Sequence, residues 1–221
     1  MTRVPDLQAE FARHAVAYHR QGKVILLVDG GGGMAPCLEQ ASQAVAGISR
    51  SHPVREKIQT AYFSHREFSF VENPTDPASL KAAFPSSGSE IMPTLEVLIN
   101  QHKGSEPLHI IVISDDGPIN EPSELRHVLK AASYEIPNLI FDMILTHTSA
   151  DRTQHWAETL QKDLPHKTGV HQIAVDKLED GIRGILQDRM RVFVLATATE
   201  LLRDTSRIAR VPFKKRPPGQ E

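Results

Sequence analysis

The chain has 221 residues, 40% hydrophobic and 24% charged, with a formal net charge of -2, 15 prolines and a single cysteine. That length suits one domain with extensions, the composition excludes a disordered or collagen-like chain over most of its length, and one cysteine excludes an internal disulfide framework or a cysteine-rich zinc site. No apolar run approaches the roughly 20 residues that cross a bilayer, and the opening residues lack the apolar stretch of a secretory signal, so a cytoplasmic protein is expected.

Taken in chain order, Pro5 and Asp6 open a helix over 5–21, with Leu7, Phe11, Ala15 and Tyr18 on one face. Lys23 to Asp29 is a continuous apolar run bounded by glycines, the pattern of a strand buried on both faces. Gly30 to Gly33 end it, and Pro36 suits the first turn of a helix reaching about Ile48. Gln59–Ser64 and Glu67–Val71 form two short strands whose brief link predicts an antiparallel pair. A proline-bearing loop with a helical stretch near 78–84 leads into a helix over Glu90–Gln101, with Ile91, Leu95, Leu98 and Ile99 on one face.

Leu108–Ser114 is the second strongly apolar strand, and Pro122 opens a helix to about Ser133. Leu139–Leu145 is a third buried strand, followed by a helix over Arg152–Leu164 and a last strand over Val170–Val175. Helical pattern resumes at Lys177, weakened early by Gly181 and Gly184, and runs to about Ile208. Strands alternating with helices predict an α/β fold: a doubly wound, mostly parallel six-stranded sheet with one antiparallel edge strand and helices on both faces. The expected organisation is a helical extension over 1–22, an α/β domain over 23–202, and a proline-containing tail over 203–221.

Charge divides along the same line. Residues 1–202 carry -6 and the tail +4, which argues against nucleic-acid binding by the main domain.

Acidic and glycine residues fall where such a fold binds ligands, beyond the carboxyl ends of strands at the point where the winding reverses. Asp29 ends the first buried strand, and Asp115 and Asp116 end the next one. If those strands are neighbours, three carboxylates meet beside the glycine run and the loop at Gly88–Ser89. Such a cluster calls for a cation or hydrogen-bond donors, and oxygen-rich clusters suit Mg²⁺ or Mn²⁺.

Three stretches carry a resemblance: Asp29-Gly30-Gly31-Gly32-Gly33, Ser87-Gly88-Ser89-Glu90-Ile91 and Ser114-Asp115-Asp116-Gly117. Over residues 20–200 the chain resembles the von Willebrand factor A (VWA) domain family. That family bears a metal-ion-dependent adhesion site: Asp-x-Ser-x-Ser after strand one, a threonine in a glycine loop and an aspartate after strand four. The block spacing most resembles intracellular bacterial members of the tellurium-resistance and stress-response type, with copines a more distant comparison. The resemblance implies a VWA fold and a partner-binding rim of Asp29, Gly30, Gly31, Gly32, Gly33, Ser87, Gly88, Ser89, Asp115 and Asp116. Its metal positions fall on Asp29, Ser89 and Asp116.

The departures bear on the ion. Gly31 and Gly33 stand where the family has two serine ligands, and Ser89 stands for the threonine. Glycine offers no side-chain oxygen, and Mg²⁺ gives up water reluctantly. The expectation is therefore a protein-binding adaptor and not an enzyme. It has no required cofactor, and its rim takes an acidic or carbonyl-bearing protein partner with little or no dependence on metal.

Two other readings stand beside it. One is a VWA domain that retains a Mg²⁺- or Mn²⁺-dependent adhesion site. The other is a dinucleotide-binding oxidoreductase, in which Gly30–Ala35 cradles a pyrophosphate and Arg66 meets a 2′-phosphate. Against the latter, Asp29 would set its charge beside the phosphates, and the hairpin over 60–71 interrupts the strand-helix-strand unit. Among the eleven histidines, His14/His19 and His166/His171 are each five apart, and they read as surface or helix-flank residues. Cys37, at a helix start, reads as a small buried residue.

Overall fold

β-Branched and leucine side chains in unbroken runs build the centre of the molecule. In the computed structural model, which describes residues 22–51, 55–64, 68–74, 89–104, 107–118, 120–136 and 138–189, six strands form one sheet. They are β1 (Lys23–Asp29), β2 (Ile58–Phe63), β3 (Phe68–Phe70), β4 (Leu108–Ser114), β5 (Leu139–Leu145) and β6 (Thr168–Gln172). Their order is β3-β2-β1-β4-β5-β6, with only β2 and β3 antiparallel. β4 and β5 are buried along their whole length and β1 at every position but its first, as runs covered on both faces must be.

Among the described residues, five helices cover the sheet: α1 (Leu38–Ser51), α2 (Met92–His102), α3 (Pro122–Glu135), α4 (Ala150–Gln161) and α5 (178–189). Strand alternation splits the apolar residues into two cores. Ile25, Leu27, Ile110, Val112, Phe141 and Met143 pack with α2, α3 and α4, including Leu95, Leu129 and Trp156. Val24, Leu26, Val28, Ile111, Ile113 and Ile144 face the other way, against Val45 and Ile48 of α1 and Ile182 and Leu186 of α5. The α/β sheet with one antiparallel edge is the architecture expected from the sequence, and β1 and β4 are indeed neighbours.

Several boundaries differ from the sequence reading. Pro36 lies in a turn after a short 3-10 stretch at Gly32–Met34, so α1 begins at Leu38. The fourth helix starts two residues early, because the Ser149 hydroxyl accepts the Arg152 N–H as a cap. The last strand is Thr168–Gln172, shifted toward the N-terminus from Val170–Val175. α1 also joins β1 to β2 in a parallel crossover, so the hairpin β2–β3 lies beyond the strand-helix-strand unit and does not interrupt it. The helix over 5–21, the helical stretch near 78–84, Ser87, Gly88 and the tail over 203–221 lie outside the described residues.

Candidate functional site

The β1–β4 junction sits where the order reverses, since β2 lies to one side of β1 and β4 to the other. Asp29 closes β1 there and is fully buried. Its Oδ1 accepts the Gly31 N–H at 2.7 Å and its Oδ2 accepts the Ser114 hydroxyl at 2.6 Å, across from the end of β4. The Ser89 hydroxyl adds a further hydrogen bond. Burial raises the Asp29 carboxyl above its ordinary range; the bonds from Ser114, Gly31 and Ser89 oppose the rise, and the charge of Asp115 adds to it.

The glycines make room for this arrangement. A Cβ at Gly31 would stand 2.9 Å from Asp29 Oδ1 and 3.2 Å from Ser89 Cβ. A Cβ at Gly33 would stand 2.0 Å from Asp115 Oδ2, so the Asp115 carboxylate lies in the space that a side chain at 33 would take. Gly32 and Gly33 are exposed, whereas Gly30, Gly31 and Ser89 are buried.

The described rim thus brings Asp29, Gly31, Gly33, Ser89 and Asp115 together. Asp116 stands apart from that group: its carboxylate pairs with Arg152 at 3.0 Å, both side chains nearly half exposed. It is Asp115, not Asp116, whose charge is felt at Asp29. Of the metal trio named from sequence, Asp29 and Ser89 meet at this junction, and Asp116 pairs with Arg152. Next to the Asp116–Arg152 pair, a cavity of about 390 Å³ is lined by Gly117, Pro118, Asn120, Arg152, His155 and Trp156. Gly117 holds a φ of 94° with its Cα against the Trp156 edge, where a Cβ would come within 3.1 Å of the indole.

Sequence reasoning missed Ser114, the donor that ties β4 to Asp29. Its signal was a hydroxyl at the last position of an otherwise apolar strand. Cys37 is buried as expected; its thiol donates to the Met34 carbonyl at 3.4 Å, and burial pushes it up, away from thiolate reactivity.

The histidine reading needs correction too. His102 and His109 are buried, and His109 belongs to a second polar cluster. The Asp142 carboxylate of β5, fully buried, meets His109 Nε2 of β4 and His171 Nε2 of β6, each at 2.8 Å. Arg189 of α5 grips it with Nε at 2.8 Å and Nη2 at 2.6 Å. Burial alone would raise the Asp142 carboxyl, but the bonds from His109, His171 and Arg189 outweigh it and hold the group far below the usual range. No cluster of three or more histidine, cysteine or acidic side chains suited to a metal occurs among the described residues.

Asp29 yields a pH prediction. A carboxyl raised by folding contributes stability below its ordinary value of 3.8 and loses it as the pH climbs through the folded value. Asp29→Asn keeps an acceptor for the Gly31 N–H, and its amide can donate to the Ser114 oxygen. The variant is expected to be more stable than wild type at pH 7, since it no longer buries a charge there. The advantage vanishes near pH 3, as chemical denaturation at several pH values would read.

The sequence matches no protein-family model and no curated protein. Solved structures do match in shape. The SpRpn10 VWA domain aligns with a TM-score of 0.50 at 9% identity, over 72% of this chain and 93% of that one. A von Willebrand factor type A protein from Catenulispora acidiphila gives 0.52 at 12% identity, over 77% of this chain and 43% of that one. The D319A mutant of the PilB minor pilin from Streptococcus sanguinis gives 0.50 at 10% identity, over 80% of this chain and 63% of that one. This chain spans less than two thirds of the last two. With the six-stranded sheet, its one antiparallel edge and its flanking helices, the chain carries a VWA-like α/β fold.

Proposed function

We propose that this domain is a protein-recognition module whose rim, with residues 29–34, 89–90 and 115–118 among those described, binds its partner without a required metal ion. The observation that carries the reading is the bonding of Asp29. Both its oxygens are taken by neutral donors, Gly31 N–H and the Ser114 hydroxyl, and Ser89 is spent on the same group. Asp116 is spent on Arg152. Mg²⁺ demands near-octahedral oxygen ligands, and the donor set does not fit it: the oxygens are already engaged and the two serine positions are glycine.

What remains open to a partner is backbone. Gly32 and Gly33 are exposed at the loop, where amides approach a ligand without side-chain hindrance, an arrangement favouring neutral carbonyl groups beside the Asp29 and Asp115 carboxylates. The VWA-like fold supports a binding role over catalysis by analogy of architecture. Asp29 also supports this over a dinucleotide site, since its buried carboxylate stands at the loop where phosphates would sit.

Calorimetry tests the metal clause directly. Wild type titrated with MgCl₂ or MnCl₂ should show no saturable heat, whereas Gly31→Ser with Gly33→Ser should gain some. Affinity capture from the source cell should recover the same partner in EDTA as in Mg²⁺, and lose it with Gly32→Glu. Tight Mg²⁺ binding by wild type, or capture that needs Mg²⁺, sinks the metal-independent reading. Capture untouched by Gly32→Glu sinks the rim.

A further inference from the structure

The cavity beside the Asp116–Arg152 pair holds more hydrogen-bond donors than the described residues use. Trp156, the single tryptophan of the chain, lines it and is only 2% exposed. An indole N–H can only donate, and a buried one ordinarily finds an acceptor. Among the described residues nothing accepts it. Its Nε1 lies on the ring edge that faces Gly117, 3.1 Å from where a Cβ at 117 would stand. Glycine leaves that edge bare, and its φ of 94° disfavours any side chain there, so the opening is built into the backbone.

Two further donors line the same space. Asn120 offers its Oδ1 to the Ile91 N–H at 3.0 Å, which fixes the amide and leaves Nδ2 as the unused end. Arg152 gives Nη1 to Asp116 and has Nε and Nη2 left over. The guanidinium charge is balanced by Asp116, Glu121 adds a carboxylate to the lining, and His155 adds a ring that can donate or accept. Donors without an excess of positive charge suit a neutral oxygen acceptor. A carboxylate would meet Glu121 and Asp116, and an apolar group would leave the indole N–H unpaired. The wall is also tied to the rim: the Gly117 N–H donates to the Ser114 hydroxyl at 3.2 Å, and that hydroxyl donates to Asp29.

We propose that this cavity is a side-chain subsite of the recognition rim and takes a neutral carboxamide, the asparagine or glutamine side chain of the partner protein. The carboxamide oxygen would accept from the Trp156 indole, with Asn120 and Arg152 as the other donors at hand, and its NH₂ would serve Glu121. At about 390 Å³ the cavity lies at the small end of ligand sites, as one side chain requires. That the group belongs to the partner rests on the rim reading; that the cavity takes an amide does not.

The lone tryptophan supplies the readout. The full chain, labelled with nitrogen-15, is titrated with the capped tripeptides Gly-Gln-Gly, Gly-Glu-Gly and Gly-Leu-Gly, and the one indole N–H signal is followed by NMR. The glutamine peptide should shift that signal downfield and saturate at on the order of millimolar concentration. The glutamate and leucine peptides should bind about tenfold more weakly or worse. Asn120→Asp keeps the oxygen that caps Ile91 and removes the spare donor. It should weaken the glutamine peptide about fivefold or more with little change in melting temperature.

An indole signal unmoved by the glutamine peptide overturns the subsite, as does an affinity unchanged in Asn120→Asp. Glutamate or leucine binding as tightly as glutamine overturns the carboxamide assignment. Slow solvent exchange of the indole N–H in the free full chain also overturns it, since the protein's own residues would then fill the cavity. In the capture experiment Asn120→Asp should lower recovery of the partner, and undiminished recovery overturns the claim that the partner supplies the amide. The titration needs no partner and alters no rim glycine, so its failure leaves the rim reading standing. Capture untouched by Gly32→Glu would remove the rim and leave the titration result intact.

Discussion

Replacing Asp142 with alanine is expected to lower the stability of the protein by about 3–5 kcal/mol, the range seen when one partner of a buried ion pair is removed. The Arg189 side chain is only 14% exposed, so the substitution leaves a guanidinium buried with no counter-charge. His109, also buried, loses its acceptor at the same time. The effect carries a pH signature whose sign follows from the depressed carboxyl. Asp142 contributes its full stability above the ordinary value of 3.8, and that contribution fades as the pH falls below it. The gap between wild type and Asp142→Ala, measured by urea denaturation, should be widest at neutral pH and narrow below about pH 4. A gap of under 1 kcal/mol at pH 7 would mean that the cluster is not what holds α5 to β5.

The second large effect comes from the smallest substitution. Gly169→Ala places a methyl 2.1 Å from Asp142 Oδ1, 2.7 Å from Arg189 Nη2 and 2.8 Å from His171 Nε2. None of the three atoms can retreat without breaking a hydrogen bond to the others, so the expected loss is about 3 kcal/mol, at the upper end for overpacking. Gly33→Ala is the instructive contrast. Its Cβ meets Asp115 even more closely, but Asp115 is part-exposed and can swing into solvent. That variant should lose less than about 1 kcal/mol. Thermal melts of the two proteins side by side would read the difference, and equal losses would refute the distinction between a locked and a yielding neighbour.

How far the sequence discloses these features depends on how local each is. β1, β4 and β5 were readable almost to the residue, because unbroken Val, Ile and Leu runs admit only burial on both faces. β6 was misplaced by two residues for a physical reason. Thr168-Gly169 resembles a turn, yet glycine stands in the strand because Asp142 occupies its side-chain space. Ile173 and Val175 resemble strand residues, yet they pack beyond its end against the α1–α5 core.

The candidate rim was legible through topology: two carboxylates at strand ends, with a winding reversal between them. Which of Asp115 and Asp116 points inward was not, since the choice depends on Arg152, some 36 residues downstream. The Asp142 cluster was hidden as well. Its sequence trace is a lone histidine in β4 and a lone aspartate in β5, and only the strand alignment brings them within 2.8 Å.

The hydrogen bond from Ser114 to Asp29 has a kinetic corollary. It pins two adjacent chain reversals to one carboxylate, so the crevice is preorganised before anything arrives. A partner docking there, as proposed, would cost its receptor little conformational freedom. Under the proposed rim reading, association would proceed without a slow rearrangement of the crevice, and affinity differences among ligands would reside in their residence times.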